Sequence, residues 1–411
     1  MTIPFSPPRI DQKIIDEVVA TLKSGWITTG PRTKKFEKQI AEYAGVQKVL
    51  CLNSATAGLE IMLRWFGVKE GDEVILPAYT YSATANVVIH CGAKPVLVDV
   101  NATDFNISLQ RIADAISPRT KVIMPVDIGG LPCDYDSILN LAKGSATVFK
   151  AENEIQKTLG RILVLCDTAH SIGGLYNGKK VGGDADASVF SFHAVKNLTT
   201  AEGGAVCLNL PAPFSNEEIY KALCIKSLHG QNKDALAKTQ KGSWEYDVVE
   251  AGYKWNMPDI LAAIGLVELE RYDSDTLPRR KKIVEQYLQH FSKKNWAQLP
   301  VFKTDISESS YHLFLLRIKD ISEQQRNEII KLISENDVSV NVHFKPLPLL
   351  SFYKSLGYKM EDYPIAYDNY AREISLPVYF DLTNEQVDFV AQTVIESVEK
   401  ILTLPSPKER D

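Results

Sequence analysis

No stretch of this 411-residue chain approaches the ~18 consecutive apolar residues that a membrane span needs. Nor is there a long block of one charge sign: Lys plus Arg is 46, Asp plus Glu is 51, and the formal net charge is −5. That balance argues against a charge-driven nucleic-acid or membrane-surface role. The six cysteines stand singly at 51, 91, 133, 166, 207 and 224, never as C-x-x-C. They read as reduced core thiols, not as a disulfide frame or a zinc site. The N-terminus has neither a basic n-region nor an apolar h-region, which places the expected protein in the cytoplasm. Metal, nicotinamide and nucleotide-triphosphate signatures are missing too: there is no H-E-x-x-H, and no G-x-G-x-x-G opens a helix after a strand. Gly173 to Lys180 comes near a P-loop, but Lys180 stands where a Mg²⁺-binding hydroxyl belongs.

What the chain does have is ordinary globular composition, 45% hydrophobic and 24% charged, in a length that exceeds one compact core. Between residues 47 and 208, short apolar runs alternate with segments of helical period, the pattern of an α/β domain with a mostly parallel central sheet. Val49 to Leu52 reads as a buried strand; Ser54 then caps a helix whose Leu59, Met62, Leu63 and Phe66 recur at helical spacing. Strands follow over Glu73–Pro77, Pro95–Asp99, Lys121–Val126, Arg161–Cys166, Ser188–Phe192 and Ala205–Leu208. The Lys-rich stretch 143–160 reads as a surface insertion containing a helix. Beyond Pro278, a long helix, Tyr311–Ile318, the helix Gln325–Asn336, a strand Val338–Val342 and a terminal helix from Glu385 predict a smaller α+β domain. The expected spans are 1–275 and 276–411.

Polar residues gather at the predicted strand ends. Leu163-Val-Leu-Cys-Asp167-Thr-Ala-His170 sets a carboxylate just past one strand, and Ser188-Val-Phe-Ser191-Phe-His193-Ala-Val-Lys196 sets a hydroxyl and a lysine past another. Asn53-Ser54-Ala55-Thr56-Ala57 opens a helix with small residues and free N–H groups, a ready anion site. Tyr79-Thr80-Tyr81 offers an aromatic face. Ligands bind along such edges in α/β sheets. Phosphate cradle, aromatic plate, carboxylate and lysine are what pyridoxal 5'-phosphate (PLP) requires: the lysine for covalent attachment, the carboxylate to keep the ring nitrogen protonated. Singly each residue is weak, because an Asp after a strand is commonly a cap and a loop lysine is commonly solvated. Their order along the chain is what informs.

Ser24-Gly-Trp-Ile-Thr-Thr-Gly-Pro31, Gly71-Asp-Glu-Val-Ile-Leu-Pro77, Asp167-Thr-Ala-His170, Ser191 to Gly204 and Gly252-Tyr-Lys-Trp-Asn-Met-Pro-Asp259 together resemble the DegT/StrS family of nucleotide-sugar aminotransferases. The wording is most similar to its UDP-4-amino-4-deoxy-L-arabinose synthase branch. The resemblance implies the PLP-dependent fold type I and amino transfer from L-glutamate to a nucleotide-linked keto-sugar, UDP-4-keto by the branch wording. It also implies a homodimer with shared active sites and a place in polysaccharide or lipopolysaccharide biosynthesis. It implies that Lys196 holds PLP and moves the proton, that Asp167 pairs with the ring nitrogen, that His170 lies near the phenolic oxygen and that Tyr81 stacks on the ring. The Ala55 and Thr56 amides and the Ser191 hydroxyl would hold the phosphate, helped by Lys254 or Asn256 of a second copy.

His343 and His229 stand as sugar-facing candidates, with structural roles as the alternative; Thr28 and Thr29 either touch substrate or shape their loop; His193 is either functional or a packed neighbour of the lysine loop. The chain departs from the resemblance at Ala55 (more usually glycine), at Asp127 (often histidine), at Lys254 and Asn256 (more commonly Asn and Arg), and at 345–350, which lacks a second histidine. Two rival readings exist: a PLP-dependent sugar dehydratase, in which histidine replaces the lysine, and a non-catalytic regulatory member, which would lose Asp167 or Lys196. Both residues are present.

Overall fold

The computed structural model describes residues 2–233 and 245–403; Met1 and 404–411, which the expected domain spans include, lie outside the described residues. A seven-stranded sheet forms the centre: β1 (Lys48–Leu52), β2 (Glu73–Pro77), β3 (Lys94–Val98), β4 (Thr120–Ile123), β5 (Leu163–Asp167), β6 (Ala187–Ser191) and β7 (Gly204–Leu208). Their spatial order is β1-β7-β6-β5-β4-β2-β3. The pairs from β6 through β3 are parallel, and β7 runs against both β6 and β1. Since β1 and β6 both oppose β7, they point the same way. The carboxyl ends of β1 through β6 therefore meet along one edge, the α/β architecture expected from the alternating runs. Strands β2, β4, β5, β6 and β7 are buried throughout, which is why they read as unbroken apolar runs rather than alternating ones.

Helices α1 (Gln12–Lys23), α2 (Pro31–Ala44), α3 (Ala55–Trp65) and α4 (Ser82–His90) precede or link these strands. α3 begins where predicted, with the Ser54 hydroxyl accepting from the Ala57 N–H at 3.1 Å. Its Leu59, Met62 and Leu63 are fully buried, each worth roughly 1.5–3 kcal/mol of hydrophobic stabilisation. The start of α2 is held by Asp259, whose carboxylate accepts from the Gly30, Arg32 and Thr33 amides. The acidic residue that closes the Gly252 motif is thus a helix cap.

A second, antiparallel sheet is made of β8 (Ala297–Gln298), β9 (Phe314–Ile318) and β10 (Glu373–Leu376), in that order. Helices Leu277–Phe291, Glu323–Glu335 and Asn384–Leu402 accompany it, and Ile283, Phe314, Ile329 and Val390 share its core. The last two helices start in capping boxes, Ser322 with Gln325 and Thr383 with Gln386.

One expectation needs correction. Val338–Val342 does not form a strand: Val338 bridges only to Ile3 and Asn341 only to Ser375, and the Asn341 side chain takes its neighbour's N–H. The stretch 143–160 is the expected surface insertion with a helix, Glu154–Leu159, and it is docked on the domain. The buried Lys121 amine bonds the Lys150 carbonyl, and Asn153 and Gln156 both donate to the Phe66 carbonyl, occupying the end of α3. The P-loop look-alike is a hairpin, Leu175–Tyr176 against Lys179–Lys180, turned by Gly178 at φ +76°.

Candidate active site

At the sheet edge where six carboxyl ends lie is a cleft of about 380 Å³. Ser54, Ala55 and Thr56 line it from the start of α3, Tyr81 from the loop after β2, Asp167 and His170 from the end of β5, and Ser191 and Lys196 from the end of β6. Eight of the strand-end candidates thus come together in one cavity, although the chain separates them by more than a hundred residues.

Each group is prepared by its neighbours. Asp167 is nearly buried; its Oδ2 accepts from Thr84 Oγ1 at 2.9 Å and its Oδ1 from the Ala169 N–H at 3.2 Å. Burial raises its pKa, and the two hydrogen bonds and Lys196 partly offset that. Lys196 has no hydrogen bond or ion pair to its amine among the described residues, and burial pushes its pKa down to about 8, against the pull of Asp167. A lysine so placed is a nucleophile near neutral pH. His170 Nδ1 accepts from the Gly129 N–H at 3.3 Å, so the ring carries its proton on Nε2. Burial holds its pKa well below the ordinary value, with Lys196 and His343 adding to the effect.

The phosphate end is built from backbone. Ala55 and Thr56 are the first two residues of α3, and their amides have no carbonyl one turn back to donate to. Gly204 lets β7 approach: a Cβ there would stand 2.3 Å from the Ala55 nitrogen. With the Ser191 hydroxyl beside these amides, the donor set suits a phosphate. A lone amine, a buried carboxylate and this cradle fit PLP in chemistry, and the cavity is of ligand size.

Tyr81 is 63% exposed, with its ring centroid 6.0 Å from Phe344. His343 lines the cleft; His193 sits at its rim, with Nε2 3.6 Å from Glu202. Thr28, Thr29, His229, Lys254 and Asn256 do not line the cleft of their own chain. They lie together instead: Asn256 Nδ2 donates to Thr29 Oγ1 at 2.6 Å, the Asp259 N–H to the Thr28 carbonyl, and the His229 N–H to the Tyr253 carbonyl. Lys254 is exposed, and its carbonyl accepts from Asn53, next to Ser54.

Sequence reasoning missed Phe5, Thr84, His312 and Phe344. The His312 ring packs 4.4 Å from His170, and its Nδ1 bonds Asn197 Oδ1 at 2.7 Å. Asp127, noted as a departure, is buried outside the cleft and accepts from Ser171, Tyr135 and the Cys133 amide. It ties the loop after β4 to the one carrying His170. No group of His, Cys, Asp and Glu among the described residues could hold a metal ion, and no described helix is long and apolar enough to cross a membrane.

A family model, the DegT/DnrJ/EryC1/StrS aminotransferase family, matches residues 8–395. The uncharacterized protein MJ1066 of Methanocaldococcus jannaschii is 39% identical over 404 residues, 98% of each chain. Spore coat polysaccharide biosynthesis protein SpsC of Bacillus subtilis is 36% identical over 400 residues, 96% of this chain and 97% of its own. Putative sugar aminotransferase Spr1654 from Streptococcus pneumoniae is similar in its PMP-form at 47% identity and TM-score 0.94, covering 97% of this chain and all of its own. Its PLP-form gives 45% and 0.93, over 98% of this chain and 100% of its own.

Proposed function

The chain belongs to the DegT/DnrJ/EryC1/StrS aminotransferase family and is a sugar aminotransferase, and we propose that it moves an amino group from L-glutamate to a keto-sugar carried on a nucleotide diphosphate, UDP with a 4-keto group. The observation that carries this reading is the meeting of Lys196, Asp167 and the Ala55–Thr56–Ser191 cradle in one cleft. The UDP-4-keto choice rests on shared wording: Ser54-Ala-Thr-Ala57, Ser191-Phe-His-Ala-Val-Lys-Asn197 and Gly252-Tyr-Lys-Trp-Asn256. The likeness to a spore coat polysaccharide protein supports a role in polysaccharide or lipopolysaccharide biosynthesis.

PLP supplies, when bound, an electron sink next to the carbon that gains or loses the amino group. The residues do the rest. Lys196 Nζ would hold the group and carry a proton to and from the reacting carbon; Asp167 would set a negative charge against the ring nitrogen. His170 would offer Nε2–H as a donor to the phenolic oxygen, Tyr81 would cover the ring face, and the cradle would hold the phosphate. With Lys196 and Asp167 in place, a dehydratase or a non-catalytic member has no support. The test is mass spectrometry of nucleotide keto-sugars incubated with the protein and ¹⁵N-glutamate. The expected product is a ¹⁵N-amino sugar on UDP. Labelling of free keto acids with no nucleotide sugar labelled would refute the acceptor.

The protein acts as a homodimer in this reading. A phosphate group carries nearly two negative charges, and Lys196, which PLP occupies, is the one lysine or arginine among the described residues lining the cleft. Lys254 of a second copy would supply the missing cation, and Thr28, Thr29, His229 and Asn256, grouped with it, would face the same site. Lys196→Ala and Lys254→Ala chains should each be inactive alone and recover activity when mixed under exchange conditions, because one site per heterodimer is then whole. Normal turnover by Lys254→Ala alone, or no recovery on mixing, would overturn the shared site.

A further inference from the structure

His343 is bound at every polar atom but one. Its N–H donates to Glu373 Oε2 at 3.0 Å, its carbonyl accepts from the Tyr79 hydroxyl at 2.6 Å, and its Nδ1 lies 2.8 Å from Ser375 Oγ. Phe5 stacks on the ring with centroids 5.5 Å apart. Only Nε2 has no partner among the described residues, and the ring lines the cleft. Behind it, Ser375 Oγ is 2.5 Å from Glu373 Oε1. Glu373 and Ser375 are two apart on β10, so both project from one face, and both are fully buried.

We propose that Ser375 and Glu373 are positioning residues that relay a proton to and from His343 Nδ1, so that Nε2 gives or takes a proton in the cleft while the ring stays neutral. In the donating sense, the Nε2–H bond breaks and its proton goes to an acceptor in the cleft. The Ser375 hydroxyl proton moves to Nδ1, and the Glu373 Oε1 proton moves to Ser375 Oγ. The net result is one proton delivered, a carboxylate at Glu373 and the other neutral tautomer at His343. The accepting sense reverses each transfer. The inference rests on the proposed function only for what sits in the cleft: the oxygen of a keto group must leave as water in amino transfer, and needs protons to do so.

The surroundings agree. Arg317 on β9 and Arg326 on the helix Glu323–Glu335 face Glu373, but neither pairs with its carboxylate: Arg317 donates to the Ala102 and Thr103 carbonyls and to Asn369, and Arg326 to the Tyr370 and Glu373 carbonyls. Tyr79, just past the end of β2, faces the same carboxyl, whose charge adds to burial in raising the Tyr79 pKa. Burial outweighs these arginines and pushes the Glu373 pKa up to about 8. On the cleft side, Lys196, His170 and His312 face the His343 ring. Burial, with Lys196, pushes its pKa down to about 3, so an imidazolium is not available near neutral pH. A neutral ring can exchange protons at Nε2 only if Nδ1 is served from behind.

The experiment is ¹⁵N NMR of the PLP-loaded protein labelled at histidine, with the His343 signals identified by their loss in His343→Asn. Wild type should convert from the Nε2–H to the Nδ1–H tautomer as pH rises through about 8, with no imidazolium signal. Glu373→Gln, whose amide donates permanently toward Ser375, should stay Nε2–H at every pH; Ser375→Ala should lose the transition. A single His343 tautomer from pH 6 to 9.5 in wild type, or an unchanged transition in Glu373→Gln, would overturn the relay, and the wild-type titration needs no variant to fold. The sugar is absent throughout, so failure of the acceptor assay leaves this readout standing.

Discussion

The Lys196→Ala chain is expected to fold and to be catalytically dead, with kcat lower by at least about 10⁴-fold, ~5.4 kcal/mol of barrier. It should fold because the Lys196 amine holds nothing in place: no hydrogen bond or ion pair reaches it among the described residues. Burying the ammonium destabilises the native state at neutral pH. With a native pKa of about 8, below the ordinary lysine value, the folded chain binds fewer protons than the unfolded one between about pH 8 and 10.5. Stability gained from this group therefore rises with pH across that window, and alanine removes the dependence. The same shift sets the pH of cofactor loading, since only the neutral amine attacks a carbonyl. Covalent capture of PLP by wild type should accelerate up to about pH 8 and then level, and borohydride should fix the group on the peptide containing Lys196. Capture that kept rising toward pH 10.5, or fixation on another lysine, would remove Lys196 from its role.

How much of this was legible in the chain depends on how each residue reaches the cleft. Asp167, Ser191 and Lys196 sit at the ends of buried strands, where an apolar run followed by a polar residue marks both the strand and its edge. Ala55 and Thr56 follow a cap whose signal is local. Phe5, His312 and Phe344 arrive otherwise, from the N-terminal segment and from segments leading to and from the second sheet, and no local period announces which turn will face a cavity. Thr84 is hidden for a different reason: one turn into α4, a threonine reads as an indifferent helix residue until its partner across the sheet is known. Glu373 looks in sequence like an exposed acid beside Arg372, and only the β10 pairing with β9 buries it. Asp127 shows the converse error, since a position where a resemblance expects a histidine can serve the loop framework and never touch the site.

Asp167→Asn should separate stability from activity. Burial raises the pKa of this carboxyl, so between the ordinary aspartate value and the raised one the folded chain binds more protons than the unfolded one. Stability is lost as pH rises through that window, and the full penalty is present above it. Asparagine removes the penalty and can keep the contacts: its oxygen accepts from the Ala169 N–H, and its NH₂ donates to Thr84, whose hydroxyl turns to Thr80 3.0 Å away. The Tm of the cofactor-free variant at pH 7 should therefore equal or exceed that of wild type. Activity should move the other way, because an amide sets no negative charge under the ring nitrogen and cannot hold a proton there. A loss of at least about 10²-fold in kcat is expected, ~2.7 kcal/mol of barrier, with PLP still bound. Near-normal turnover would reduce Asp167 to the cap of a strand end; a large fall in Tm would mean that its charge, not its shape, holds the end of β5.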